Sequence, residues 1–134
     1  MNDQANEQLI PISIKRASYL IFAAIGLMII KNIMHHFITS LQVFNDPLNL
    51  IEVAFYTLLG FLGIFIGQGK NWARVLLTIT FMLWLFICPI FIIRGFRVST
   101  FVGPISILMV LLILIAIILL FQAEAKKWYN RHNQ

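Results

Sequence analysis

Charged residues make up only 11% of this 134-residue sequence, whereas soluble domains carry about a quarter. That shortage excludes a water-soluble globule, and the mean hydropathy of +0.91 agrees. Acidic residues are scarcest, five against ten lysines and arginines, so paired carboxylates for acid–base chemistry have few places to come from. Cys88 is the single cysteine, which leaves no intramolecular disulfide and no CxxC spacing for zinc or redox chemistry. No GxSxG or HExxH occurs. His35 and His36, adjacent on a helix, point about 100° apart and cannot chelate one metal together. The chain therefore reads as a non-enzyme with no cofactor and no metal. Its charge of +5 and isoelectric point of 9.8 would fit a nucleic-acid binder, but the cations stand singly or in pairs at the ends of apolar runs and not along one face. Cations in that arrangement mark membrane edges and imply contact with lipid, not with nucleic acid.

What the sequence does have is long apolar stretches, at about 17–38, 50–67, 75–93 and 101–122. Each is near the roughly 20 residues a helix needs to cross about 30 Å of hydrocarbon. The last two are free of charge, whereas Lys31, His35 and His36 interrupt the first, and the second opens on Glu52 and carries Gly60, Gly63 and Gly67. Apolar residues run continuously and do not alternate, so spanning helices are expected and a barrel is not. The fold predicted is an all-α, four-helix integral membrane bundle in a single domain, with polar ends at 1–16 and 123–134. Lys15 and Arg16 before the first stretch resemble the basic start of a signal peptide, but no small-x-small cleavage site follows, and the stretch reads as retained.

Four spans put both termini on one side, and the distribution of cations chooses which. Lys15, Arg16, Lys70, Arg74, Lys126, Lys127 and Arg131 share the side of the termini, and Arg94 and Arg97 stand opposite. Both termini are expected in the cytoplasm. The segment "GQGKNWAR" is then the cytoplasmic turn between the second and third spans, with Gly67 and Gly69 permitting the turn, Lys70 and Arg74 anchoring it, and Trp72 at headgroup depth. In the first loop, "NDP" signals a turn, with Asp46 and Pro47 opening the second helix. The tail "AEAKKWYNRHNQ" reads as an interfacial helix with Trp128 and Tyr129 shallowly buried and Lys126 and Lys127 over lipid phosphates.

The pairing of "GKNWAR" with the closing "LLFQAEAKKWYNR" resembles a set of small four-span, mostly uncharacterised bacterial inner-membrane proteins. In that set a Gly-Arg/Lys-Asn-Trp-Ala-Arg turn and a terminal Leu-Leu-Phe segment followed by Trp-Phe/Tyr recur. Trp72, Ala73 and Arg74 carry the match, which covers the C-terminal half. The resemblance implies a bacterial inner-membrane location and four helices; it supplies no activity.

Lys31, His35 and Glu52 form the most informative polar group. Counted from Arg16, Lys31 lies about 22 Å into the hydrocarbon core, in its outer third. Lys31 and His35 share a helix face, and Glu52 is the obvious counter-ion. An ion at that place is a functional-site candidate, and two other readings stay open: snorkelling to the headgroups and a purely structural pair. Gly63 and Gly67 permit close helix approach, inside the bundle or in a homo-oligomer. Thr80, Trp84 and Cys88 share a face and predict interhelical contacts or a thin polar seam. Small multidrug-resistance transporters carry a coupling carboxylate in their first span, where this sequence has Lys31, and the wholly apolar fourth span cannot line an aqueous path. The reading favoured is a small protein acting by interaction within the bilayer, on another membrane protein or a membrane-inserting toxin. A small oligomeric transporter or channel subunit is the alternative.

Overall fold

The computed structural model describes residues 10–39 and 47–132, without the side chains of Thr39 and His132. Residues 1–9 of the polar end 1–16, and most of the first loop with Asp46, lie outside the described residues. Among the described residues five helices follow one another: α1 (Ile12–Thr39), α2 (Pro47–Gly67), α3 (Asn71–Val98), α4 (Val102–Leu120) and α5 (Ala123–His132). No strand occurs among the described residues. The first four helices are each long and apolar enough to cross a membrane.

Helix is the conformation that satisfies every backbone N–H and C=O within one segment, which hydrocarbon demands. Prolines fall where that pattern tolerates them: Pro47 opens α2 and Pro104 lies in the first turn of α4, where the missing N–H would be unpaired anyway. Pro89 lies inside α3 without ending it. The first three helices overrun the expected spans, most visibly α3, which continues through Arg94 and Arg97 to Val98, whereas α4 stops within its own. Charged side chains at a span's edge do not stop a helix, because the long stems carry the heads outward while the backbone stays paired.

α1 packs on α2 and α4, and α3 packs on the same two helices, with little contact between α1 and α3. The result is a four-helix ring whose consecutive helices are neighbours. On α1 the buried residues include Ile14, Ala17, Ile21, Ala24, Met28, Lys31 and His35. On α3 they include Arg74, Leu77, Phe81, Trp84, Cys88, Phe91 and Gly95. Both sets advance by alternating steps of three and four, the spacing of helices crossing at about 20° in a left-handed bundle. The outward faces are apolar as well, with Phe22, Ile33, Phe61, Leu83, Phe86 and Ile118 all exposed. Such a surface is that of a multi-pass membrane protein, with lipid in place of water around it.

Close packing of α1 on α2 depends on glycine. A Cβ at Gly60 would come 3.0 Å from Ile25 Cδ1, one at Gly63 3.1 Å from Ile21 Cγ2, and one at Gly67 3.4 Å from Ser18 Oγ. Ser18 Oγ also donates to the Gly63 carbonyl at 3.1 Å. All three glycines therefore face α1 within the chain.

Candidate functional site

Buried polar side chains among the described residues fall at the two ends of the bundle. The distal end carries the α1–α2 and α3–α4 connections; the proximal end carries the α2–α3 turn and α5. Between them the interior is hydrocarbon and aromatic rings.

At the distal end the α1 seam delivers Lys31 and His35 inward, and the first turns of α2 deliver Asn49 and Glu52. Lys31 Nζ donates to Glu52 Oε1 in a buried ion pair. The pair has a physical reason: an ammonium in an apolar medium requires an opposite charge and hydrogen bonds, or desolvation expels it. The extension of α3 brings Arg94 and Gly95 to the same place, and α4 starts there with Val102, so all four spanning helices line one cleft of about 20 Å³.

Gly95 makes room for this convergence. A Cβ at Gly95 would lie 3.1 Å from the Gly103 Cα and 3.3 Å from Ser106 Oγ, and a Cβ at Gly103 would collide with the Phe96 ring. Larger residues at either position would push α3 and α4 apart at the cleft. Phe91 lines the cleft and stacks on Trp84 at 4.9 Å between ring centroids, and Trp84 stacks in turn on Phe55 at 4.0 Å. The face read as Thr80, Trp84 and Cys88 thus carries an aromatic column: Trp84 and Cys88 are buried and Thr80 is half-buried.

At the proximal end Arg74, expected as an anchor of the turn, is 8% exposed and packs within the chain. Its guanidinium carbon lies 4.9 Å from the Phe121 ring centroid and 4.6 Å from that of Tyr129. Its Nη1 donates to the Leu120 carbonyl at 3.4 Å, at the end of α4. Arginine suits this place because its planar, weakly hydrated cation stacks on rings and binds helix-end carbonyls.

The tail, expected to lie at the lipid interface with Tyr129 shallowly buried, packs on the chain instead. α5 folds back against the bundle, Tyr129 is fully buried, and its phenol is pushed up to about 12 by burial, opposed by the Arg74 charge. Trp128 covers Gly69, which has φ +79° and no space for a Cβ beneath the indole. That turn closes α2 with Gly69 N–H donating to Ile66 O at 2.9 Å and Lys70 N–H to Phe65 O at 3.0 Å, the paired bonds of a glycine-terminated helix. Lys15, Arg16, Lys70, Trp72, Lys126 and Lys127 are exposed at this end.

The structure thus brings together Lys31, His35 and Glu52, separates them from the proximal cations, and adds Asn49 and Arg94, which the sequence reading left out. Asn49 precedes Glu52 by three residues, one helix face, and was legible from that spacing. Arg94 was hidden by ending the third span at residue 93. Among the described residues no group of three His, Cys, Asp or Glu side chains is placed to hold a metal ion. No protein-family model, curated protein or solved structure matches the chain.

Proposed function

We propose that this chain is a non-enzymatic inner-membrane protein of bacteria, with both termini cytoplasmic, that acts by interaction within the bilayer. In this reading it shields the membrane from a membrane-inserting toxin, or serves as an accessory subunit of a larger membrane complex, and the distal end is its recognition surface. The single observation that carries the proposal is the buried Lys31–Glu52 pair beside His35 and Arg94, at one end of a bundle whose middle is closed by apolar side chains. Intramembrane charge is expensive, and replacing a buried pair by apolar residues often leaves a protein as stable or more so. Its presence at one end, where four helices converge, is better matched to recognition than to stability.

Sidedness follows from the cations. Lys15, Arg16, Lys70, Lys126 and Lys127 lie exposed at the proximal end, and an excess of lysine and arginine favours the cytoplasmic face. The resemblance to small four-span inner-membrane proteins through "NWAR" supports the same location. The aromatic column of Phe55, Trp84 and Phe91 beneath the cleft and the apolar α4 favour an interaction role over a conducting one.

The test is membrane potential in cells expressing wild type, Lys31→Leu or Glu52→Gln at matched membrane levels, with and without the product of the neighbouring gene. Wild type preserving a potential that the neighbour collapses, with both variants failing, supports the proposal. A potential or ion flux changed by wild type alone, and abolished by the variants, assigns the protein to channels and carriers instead.

A further inference from the structure

The short helix α5 has an inward face that a protein groove and a lipid interface both satisfy. It touches every spanning helix at the proximal end: it packs on α1 and α4, Trp128 covers Gly69 in the turn that ends α2, and the Tyr129 ring meets Arg74 near the start of α3. Ala125 and Tyr129 are fully buried there and Trp128 is half-buried. At steps of about 100° per residue, Lys126, Lys127 and Asn130 stand on the side turned away from the bundle, with Glu124 and Arg131 on its flanks. Apart from Ala123, every exposed side chain described on α5 is polar or charged.

This docking is lightly made. α5 packs far less extensively on α1 and α4 than neighbouring spanning helices pack on one another, and only Phe121 and Gln122 join it to α4. Arg74 reaches the end of α4 through a hydrogen bond of 3.4 Å, beyond the usual length, and meets α5 through the face of the Tyr129 ring at 4.6 Å. An indole and a phenol on a helix rimmed with lysine and arginine are also what a membrane interface accepts. Swung outward on its short connection, α5 buries Trp128 and Tyr129 among the headgroups and sets Lys126, Lys127 and Arg131 over lipid phosphates.

Apolar burial is similar in the two positions, so the cations decide between them. Against the bundle they face away from it into water, whereas at the interface each is attracted to anionic headgroups. A ligand shifts an equilibrium only by what it binds better in one state, and lipid charge meets that condition. We infer that α5 is a cap on the proximal end of the bundle that an anionic lipid surface draws off, uncovering Arg74 and the bundle end beneath it. The cap stands apart from the distal recognition surface, and neither depends on the other.

The experiment uses the full chain with Cys88→Ala, spin-labelled at Gln68→Cys and Asn130→Cys, in nanodiscs of phosphatidylcholine alone or mixed with phosphatidylglycerol. Both labelled positions are exposed, one in the α2–α3 turn and the other on the outward side of α5, and pulsed electron resonance reads the distance between them. Expected is one short distance in the zwitterionic discs and a second, longer one in the anionic discs, whose share rises with the anionic fraction and falls with salt. Lys126→Gln with Lys127→Gln is expected to lower the ratio of open to docked molecules about tenfold. Gly69→Ala, which leaves no room for Trp128, supplies the longer distance as a reference in zwitterionic discs. A single short distance in both lipids overturns the inference, as do equal open shares in the two lipids or an open share that the lysine replacements leave unchanged. Opening by glycerol phosphate added to zwitterionic discs overturns the lipid surface as the ligand, since a free headgroup offers Trp128 and Tyr129 nothing to enter.

Discussion

At the distal end Lys31 is buried against Glu52, an opposite charge on the neighbouring helix, whereas at the proximal end Arg74 is buried against two ring faces and a helix carbonyl. The two cations differ in kind. An ammonium is a compact, strongly hydrated charge that needs a counter-ion out of water, while a guanidinium spreads its charge over a plane that stacks on aromatic rings. The arginine solution also ties elements together, since Leu120 ends α4, Phe121 lies between the helices and Tyr129 lies within α5. The lysine solution leaves a lined cleft. One end of the bundle is fastened by its tail, and the other keeps a cleft lined by polar side chains.

The strongest way to break this comparison is to remove one member of the distal pair. Lys31→Leu or Glu52→Leu alone leaves a buried charge uncompensated and is expected to destabilise by about 3–5 kcal/mol, read from reversible unfolding in mixed detergent micelles. The double replacement is expected to recover most of that loss, because no charge is then stranded. Single variants as stable as wild type would show that Lys31 reaches the headgroups unaided.

A smaller loss is expected at the fastened end. Arg74→Lys keeps the charge but not the stacking plane, and should destabilise by about 1–2 kcal/mol. Gly69→Ala places a side chain under the Trp128 indole at a backbone conformation that favours glycine, and should release α5. Faster limited proteolysis within residues 121–132, with the remaining bundle intact, is the readout; unchanged cleavage would mean that Trp128 does not hold the tail.

Tyr129 sharpens the same point through pH. Its pKa is about 12 in the folded protein against an ordinary value near 10, so the folded state holds the phenolic proton more tightly than the unfolded one. That contribution to stability is fully present below about pH 10 and fades as pH rises through the folded value. In a Tyr19→Phe, Tyr56→Phe background, ultraviolet titration should show the remaining phenol ionising late, and at its ordinary value once Gly69→Ala has freed the tail. The smallest effect is reserved for Lys126→Gln with Lys127→Gln, within about 0.5 kcal/mol, with only weaker association with anionic lipid.

Length and hydropathy made the four spanning helices legible, because few soluble elements sustain apolar runs of that length. The seams between them were not legible from hydropathy, since α4 is apolar on every side and offers no contrast. Small and polar residues carried the missing signal. Ser18, Lys31, Asn49, Glu52, Gly63, Gly95, Gly103 and Ser106 all lie on buried faces, as expected where helices in lipid associate through close packing and polar contact. The tail shows the limit of such reading: Trp128 and Tyr129 suit a lipid interface and a protein groove equally, and only the positions of Gly69 and Arg74 in space decide between them. Arg94 was misplaced for a related reason, because hydropathy locates the edge of the hydrocarbon and not the end of the helix.

The most direct measurement is the protective effect on membrane potential of the Lys31→Leu, Glu52→Leu double variant, assayed at a membrane level and a stability matched to wild type. If the pair serves the proposed recognition, the double variant folds, inserts and fails to protect. Full protection by the double variant would contradict it and reduce the distal pair to a structural contact.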